Sequence, residues 1–326
     1  LQPRIEHIER GLMSILVVGS VAFDSIQTPS GSVENCLGGA ATHFALAASY
    51  FTDVRVIAVV GKDFTEEHEA VFTRRKIDTQ GLEHADGLSF HWTGSYVNNL
   101  NEAQTLGTDL NVFQTFEPKI PEAYKDSDFL FLANIDPVLQ ARVRSQMNNV
   151  RMVCGDTMNY WIADHAANLA KVLRELDVLL INDGEARMLA GDRNLVGAAN
   201  KVLAMGPKTL IVKHGEYGAT AFFGDRSFGS GTRALHPFRA PALPLAEVVD
   251  PTGAGDSFAG GFYGYLASQP ELTPEAFRTA MFYGGVMGSF AVERFGTERL
   301  QNATREEIDE RFRLFKEISH LEYASS

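Results

Sequence analysis

Cysteine is almost missing: the 326 residues hold only Cys36 and Cys154. Two isolated thiols supply neither a disulfide framework nor a Cys/His metal knuckle, so the expected setting is a reducing cytoplasm. Long apolar runs are missing too. No stretch approaches the ~20 residues of a membrane span, and no signal-peptide apolar core is visible near the N-terminus. Positive charge is in deficit, with 29 Lys and Arg against 41 Asp and Glu. The resulting net charge of -12 argues against a nucleic-acid or anionic-membrane partner, while leaving a local phosphate site open. Repeats, low-complexity tracts and long linkers are absent. Residues 1–12 are polar, unlike the apolar strand expected directly after them; they read as an upstream extension or an expression remnant, with Met13 as the expected start.

What is present is a large apolar fraction, 45% of the residues with 10% aromatic, enough for one substantial domain over 13–326. Apolar runs alternate with amphipathic stretches. Strands are expected over 15–18, 54–60, 129–132, 152–154, 178–181 and 210–212. Helices are expected over 39–50, 64–75, 138–147, 163–176 and 195–205, with a C-terminal one over 274–292. Near-continuous apolar strands separated by helices describe a doubly wound, mainly parallel α/β sheet. Such sheets bind ligands beyond the carboxyl ends of their strands. Asp24, Asn134, Asp156, Asn182 and Lys213 each come after an expected strand and so converge on one edge, although each alone also suits a cap or a turn.

The alternation breaks from Phe90 to Phe116, where Asn and Gly turns separate period-two segments suited to antiparallel strands. A small β excursion, about 88–116, is expected there.

The most informative stretch is Asp250-Pro251-Thr252-Gly253-Ala254-Gly255-Asp256-Ser257-Phe258. Its glycines let backbone N–H groups of Gly253, Ala254, Gly255 and Asp256 converge on one anion. The helix behind them adds the positive end of its dipole. Phe258, Phe262 and Leu266 mark one buried helix face, and Gly260, Gly261 and Gly264 another that allows close packing. A carboxylate beside a phosphate is repulsive unless it has work to do, and a base that takes the proton of an attacking hydroxyl is such work.

This run resembles the C-terminal signature of the ribokinase, or PfkB, family of sugar and nucleoside kinases. Leu37-Gly38-Gly39-Ala40-Ala41 is similar to that family's first glycine motif, Asn182-Asp183-Gly184-Glu185 to its Asn-x-x-Glu element, and Lys213-His214-Gly215-Glu216-Tyr217-Gly218 to its Lys-x-Gly-x-x-Gly turn. The resemblance implies a ribokinase-like fold with a small β lid formed by segments 25–37 and 88–116. It implies ATP-dependent transfer of a phosphoryl group to a hydroxymethyl group of a sugar or nucleoside, with Asp256 as base. ATP would bring Mg²⁺, organised through water by Asn182 and Glu185. Lys213, Gly215, Gly218, Thr252 and Gly285 would border the nucleotide, and Asp250 would help hold a monovalent cation such as K⁺. Asp24 would read vicinal hydroxyls of the acceptor, Gly38 and Gly39 would let it approach the backbone, and Tyr96, Asn98 and Asn134 would complete its pocket, with Trp92 a further lid contact. The family usually has Asn where this chain has His43, so His43 is either an altered acceptor contact or a core residue. A short first lid segment implies a small lid or one completed by a second subunit in a homodimer.

Two other function classes stand beside the kinase. One is a catalytically silent sugar or nucleotide sensor of the same fold. The other, a dinucleotide oxidoreductase, is disfavoured because Gly19-Ser20-Val21-Ala22-Phe23-Asp24 lacks the Gly-x-Gly-x-x-Gly turn.

Overall fold

The structure, a computed structural model, describes residues 13–228 and 236–319; the expectation for residues 1–12 lies outside them. In chain order the strands are β1 (Ser14–Val18), β2 (Ala22–Thr28), β3 (Gly31–Gly38), β4 (Asp53–Val60), β5 (Asp78–His84), β6 (Phe90–Ser95), β7 (Gln104–Asp109), β8 (Phe129–Leu132), β9 (Met152–Gly155), β10 (Val178–Asn182), β11 (Thr209–Lys213), β12 (Ala219–Phe223) and β13 (Phe238–Ala240). The helices are α1 (Ala40–Ala48), α2 (Glu66–Arg74), α3 (Pro137–Gln146), α4 (Asn159–Asp164), α5 (Ala166–Leu173), α6 (Asp183–Ala190), α7 (Leu195–Met205), α8 (Ala254–Ala267), α9 (Pro274–Ala291), α10 (Glu298–Asn302) and α11 (Arg305–Ser319).

Nine strands form the main sheet in the order β13-β12-β11-β10-β9-β8-β1-β4-β5. Every pairing from β5 to β11 is parallel, and β12 and β13 close one edge antiparallel. The apolar runs are continuous because both faces are covered. In β1, Ile15 and Val17 face one core with Phe44, Phe262 and Met287, while Leu16 and Val18 face the other with Val143 and Val202. Tyr263 of α8 ties its helix to the sheet, donating its hydroxyl to the carbonyls of Met152 (2.5 Å) and Leu130 (3.2 Å).

All six expected core strands are present, together with the expected helices, except that 163–176 divides at His165 into the end of α4 and α5. The expectations omitted the edge strands β5 and β13, the strand β12 beside β13, and the final helices α10 and α11.

From β1 the chain moves one way to β4 and β5, then returns to the other side for β8 through β11. The sheet therefore switches direction at β1, where an open α/β sheet leaves a crevice. Over that region stands a four-stranded sheet in the order β3-β2-β6-β7. It begins at Ala22, so Asp24 lies within a strand of this small sheet and not in a loop behind β1. The alternating pattern after Phe90 forms strands only to Asp109; Asn111–Thr115 is a 3-10 turn, and Phe113 and Phe116 stack with ring centroids 5.6 Å apart.

Candidate active site

Gly253 takes a left-handed conformation (φ 70°) and caps α8. The next helical residues present N–H groups that have no carbonyl four positions back to bond. One is already used: Ala254 donates to the Pro251 carbonyl at 3.2 Å. This corrects the four-group anion hole expected from the sequence, because the turn folds back on itself at that residue. Ser257 locks the turn by donating its hydroxyl to the Gly253 carbonyl at 2.7 Å.

Three elements converge on this turn. The ring of His43, from α1, occupies the space a Cβ would need at Gly253. The ammonium of Lys213, at the end of β11, lies 2.8 Å from where a Cβ would stand at Gly255. Asp256 is partly exposed on the first turn of α8, and desolvation pushes its carboxyl up to about 6, with Lys213 acting in the opposite direction. It is thus ionised at neutral pH and avid for a proton just below it, a suitable state for a general base.

Asp156, just past the end of β9, joins this group although its place after a strand was its only mark in the sequence. It is 6% exposed, and its Oδ1 has no hydrogen-bond partner. Burial and then the charge of Asp256 push its carboxyl well above the ordinary range.

Asn182 and Glu185 form a reciprocal cap on α6: the Asn182 Oδ1 accepts from Glu185 N–H, and the Glu185 Oε2 accepts from Asn182 N–H, both at 2.8 Å. One carboxylate oxygen of Glu185 remains. Burial raises the Glu185 carboxyl, and Lys213 offsets part of that rise. Among the described residues no cluster of three or more acidic, His or Cys side chains could hold a metal directly. The unpartnered Asp156 oxygen and the spare Glu185 oxygen nevertheless suit Mg²⁺, which keeps much of its water shell.

Asp250 is fully buried. Its Oδ1 accepts from Thr252 N–H and its Oδ2 from Gly296 N–H, both at 2.9 Å, tying the loop before α8 to the loop after α9. No described side chain forms an ion pair with it, and burial raises its carboxyl. A monovalent cation fits that uncompensated charge.

Asp24, expected to read the acceptor, is 4% exposed, and burial followed by Asp250 pushes its carboxyl up to about 7. Gly38 and Gly39, expected to let the acceptor approach the backbone, have a packing reason of their own. The Asp24 carboxylate itself occupies the Cβ space at Gly38, and Gly39 (φ 94°) presses against the Ser20 carbonyl. Both glycines are therefore required by the protein's own packing. His43 is 1% exposed, neither ring nitrogen has a partner, and burial lowers it to about 4. The ring is neutral at physiological pH.

Trp92 stands beside Asp24 across the β2–β6 ladder and meets Tyr96 edge to face, centroids 6.5 Å apart. Tyr96 is 9% exposed, with its hydroxyl beside that of Thr252; burial raises it to about 12. Asn98 is exposed at the hairpin tip between β6 and β7. Asn134 is committed within the protein: its Oδ1 accepts from the Trp161 indole at 2.9 Å, and its Nδ2 reaches the Met158 sulfur at 3.2 Å. Gly215 lies against Asn101 of the β6–β7 connection, and Gly218 against the Ala240 carbonyl of β13. The bare face of Gly285 is turned to the Phe315 ring of α11, so helix packing accounts for this glycine.

Residues 13–304 match the family described as pfkB family carbohydrate kinase. The chain belongs to the pfkB family. Over 269 residues it is 27% identical to a cytidine kinase from Thermococcus kodakarensis, covering 79% of this chain and 91% of that one. It shares its fold with a Burkholderia thailandensis nucleoside kinase in complex with inosine, at TM-score 0.72 and 21% identity, covering 92% of this chain and 98% of the other. The fold is shared also with a Vibrio cholerae O395 fructokinase bound to fructose, ADP and potassium ion, at TM-score 0.72 and 16% identity, covering 93% and 99%. This pfkB protein is thus a sugar or nucleoside kinase with a ribokinase-like fold. No helix among its described residues is long and apolar enough to cross a membrane.

Proposed function

We propose that this kinase transfers the γ-phosphoryl group of ATP to the hydroxymethyl group of a nucleoside, with Asp256 as general base. The observation that carries the choice of acceptor is the pairing of Trp92 with Asp24 across the lid sheet, with Tyr96 against Trp92. A carboxylate accepts hydrogen bonds from two neighbouring ribose hydroxyls, while aromatic rings beside it suit a flat base. The named activities of the relatives, cytidine and nucleoside kinase, favour the same acceptor.

Asp256 takes the hydroxyl proton as the oxygen attacks the γ-phosphorus, the bond to the bridging oxygen breaks, and ADP departs. The N–H groups of Gly255 and Asp256 and the ammonium of Lys213 offset charge on the transferring group. Mg²⁺ brought with ATP, held through water by Glu185 and Asp156, would neutralise phosphate charge, and a cation such as K⁺ would sit at Asp250. Tyr96 and the lid exclude water. The exposed Leu88 and Leu106 favour a homodimer through the lid, and the two free thiols suit a reducing cytoplasm.

The test is ADP release across a panel of nucleosides and sugars, with Asp256→Asn beside the native protein. Turnover with a nucleoside, lowered about 10²–10⁴-fold in the variant, is the expected result. Turnover only with a sugar would replace the acceptor. Nucleoside binding without turnover in either protein would establish the silent sensor, and near-native turnover by folded Asp256→Asn would remove the proposed base.

A further inference from the structure

One turn of the lid touches both halves of the site. The β6–β7 connection begins at Tyr96, whose N–H is anchored on the Gln27 carbonyl at 2.8 Å and whose hydroxyl stands beside Thr252. Five residues later the same connection reaches the turn after β11, where the carboxamide oxygen of Asn101 fills the space beside the bare Cα of Gly215. The Asn101 backbone is braced by its N–H on Asn99 Oδ1 at 2.9 Å. Its side-chain nitrogen has no hydrogen-bond partner among the described residues, and the residue is exposed. Val97 and Leu100 in the same tip are exposed as well. The tip thus has little packing of its own, and its seat on Gly215 bears heavily on whether it rests closed.

We propose that Asn101 is a positioning residue for the nucleotide, so that the lid over the acceptor also closes on the phosphate-donor side. This rests on the reading of the Lys213–Gly218 turn as a nucleotide border. A nucleotide lying along that turn meets the unengaged N–H₂ of Asn101 and holds the tip down. Because Tyr96 belongs to the same connection, the nucleotide thereby favours the covered acceptor pocket, and by linkage the acceptor favours the nucleotide to the same extent. Any residue with a side chain at 215 would displace the carboxamide. Any residue at 101 without a short polar head would leave the two sites to close independently.

The experiment is hydrogen exchange of the 96–104 backbone with and without Mg·ADP, no acceptor present, in the native protein, Asn101→Ala and Glu102→Ala. It is joined by steady-state kinetics varying ATP and a nucleoside together. In the native protein and in Glu102→Ala, ADP is expected to slow exchange in the tip. In Asn101→Ala the slowing disappears, KM for ATP rises about 2–10-fold, the range of one lost hydrogen bond, kcat changes less than about twofold, and each substrate's affinity no longer depends on the other. ADP that binds the native protein without slowing exchange in the tip overturns the coupling alone. An Asn101→Ala protein with native KM for ATP and native interdependence does the same. ADP that fails to bind at all overturns the nucleotide reading and this inference with it.

Discussion

Asp256 carries a definite pH expectation. Burial raises its carboxyl to about 6, and a base acts only when ionised, so kcat at saturating ATP and acceptor should be flat above that value and fall about tenfold per unit below it, while kcat/KM for the acceptor should begin to fall earlier, near the value of about 7 for Asp24. A pH–rate profile with its acid limb near the ordinary carboxylate range, around 4, would contradict this. His43 bears on the same turn from the other side. His43→Asn, which installs the family's usual residue, withdraws the ring from Gly253; the expected outcome is kcat about tenfold lower with KM for ATP little changed, since small misplacements of a reacting centre are costly. Steady-state kinetics of the folded variant check it. These residues were legible because glycines and a carboxylate at a helix start have few other uses. Asp156 was not, because an isolated Asp after a strand acquires meaning only from Asp256, Lys213 and Glu185 folded around it. The packing role of Gly38 and Gly39 was hidden for a similar reason: sequence shows an absent side chain, but not that Asp24 and Ser20 fill the space.

Among the elements, the core strands were readable because burial on both faces leaves unbroken apolar runs. The edges were not. β13 has one neighbour and a three-residue ladder to satisfy, and the residues of β12 and β13 alternate weakly. Helix α11 is mostly charged, yet Ile308 and Phe315 are fully buried. Gly285, expected to border the nucleotide, is instead covered by Phe315 of this helix, which its sequence of charges conceals. Phe315 also meets Phe282 with centroids 5.9 Å apart. Phe315→Ala should therefore cost about 3–5 kcal/mol of stability, the range for emptying a buried aromatic site. Urea unfolding measures this, and a loss below about 1 kcal/mol would show α11 to be dispensable.

For the whole molecule, five carboxyls crowd one edge of the sheet with raised values: Asp24, Asp156, Asp250, Asp256 and Glu185. Each holds its proton in the folded state after the unfolded chain has lost its own. The stability this gives is complete below about 4 and is lost as pH rises through about 6 for Asp256 and about 7 for Asp24. His43, kept neutral by burial, works in the opposite sense between its ordinary value and about 4, and His214, also lowered by burial, acts with it, two groups against five. The ligand-free protein should accordingly melt higher at about pH 5.5 than at about pH 8 in scanning calorimetry; the reverse order would show these acids to be solvated. The separation of the site along the chain has a temporal consequence. Asp24 leaves the ribosome about 230 residues before Asp256, a delay of roughly 10–50 s at the usual speed of synthesis. With the roles proposed for these two residues, the nascent chain can assemble its acceptor side while the means of cleaving ATP do not yet exist, and an interrupted translation product is left without the power to waste it.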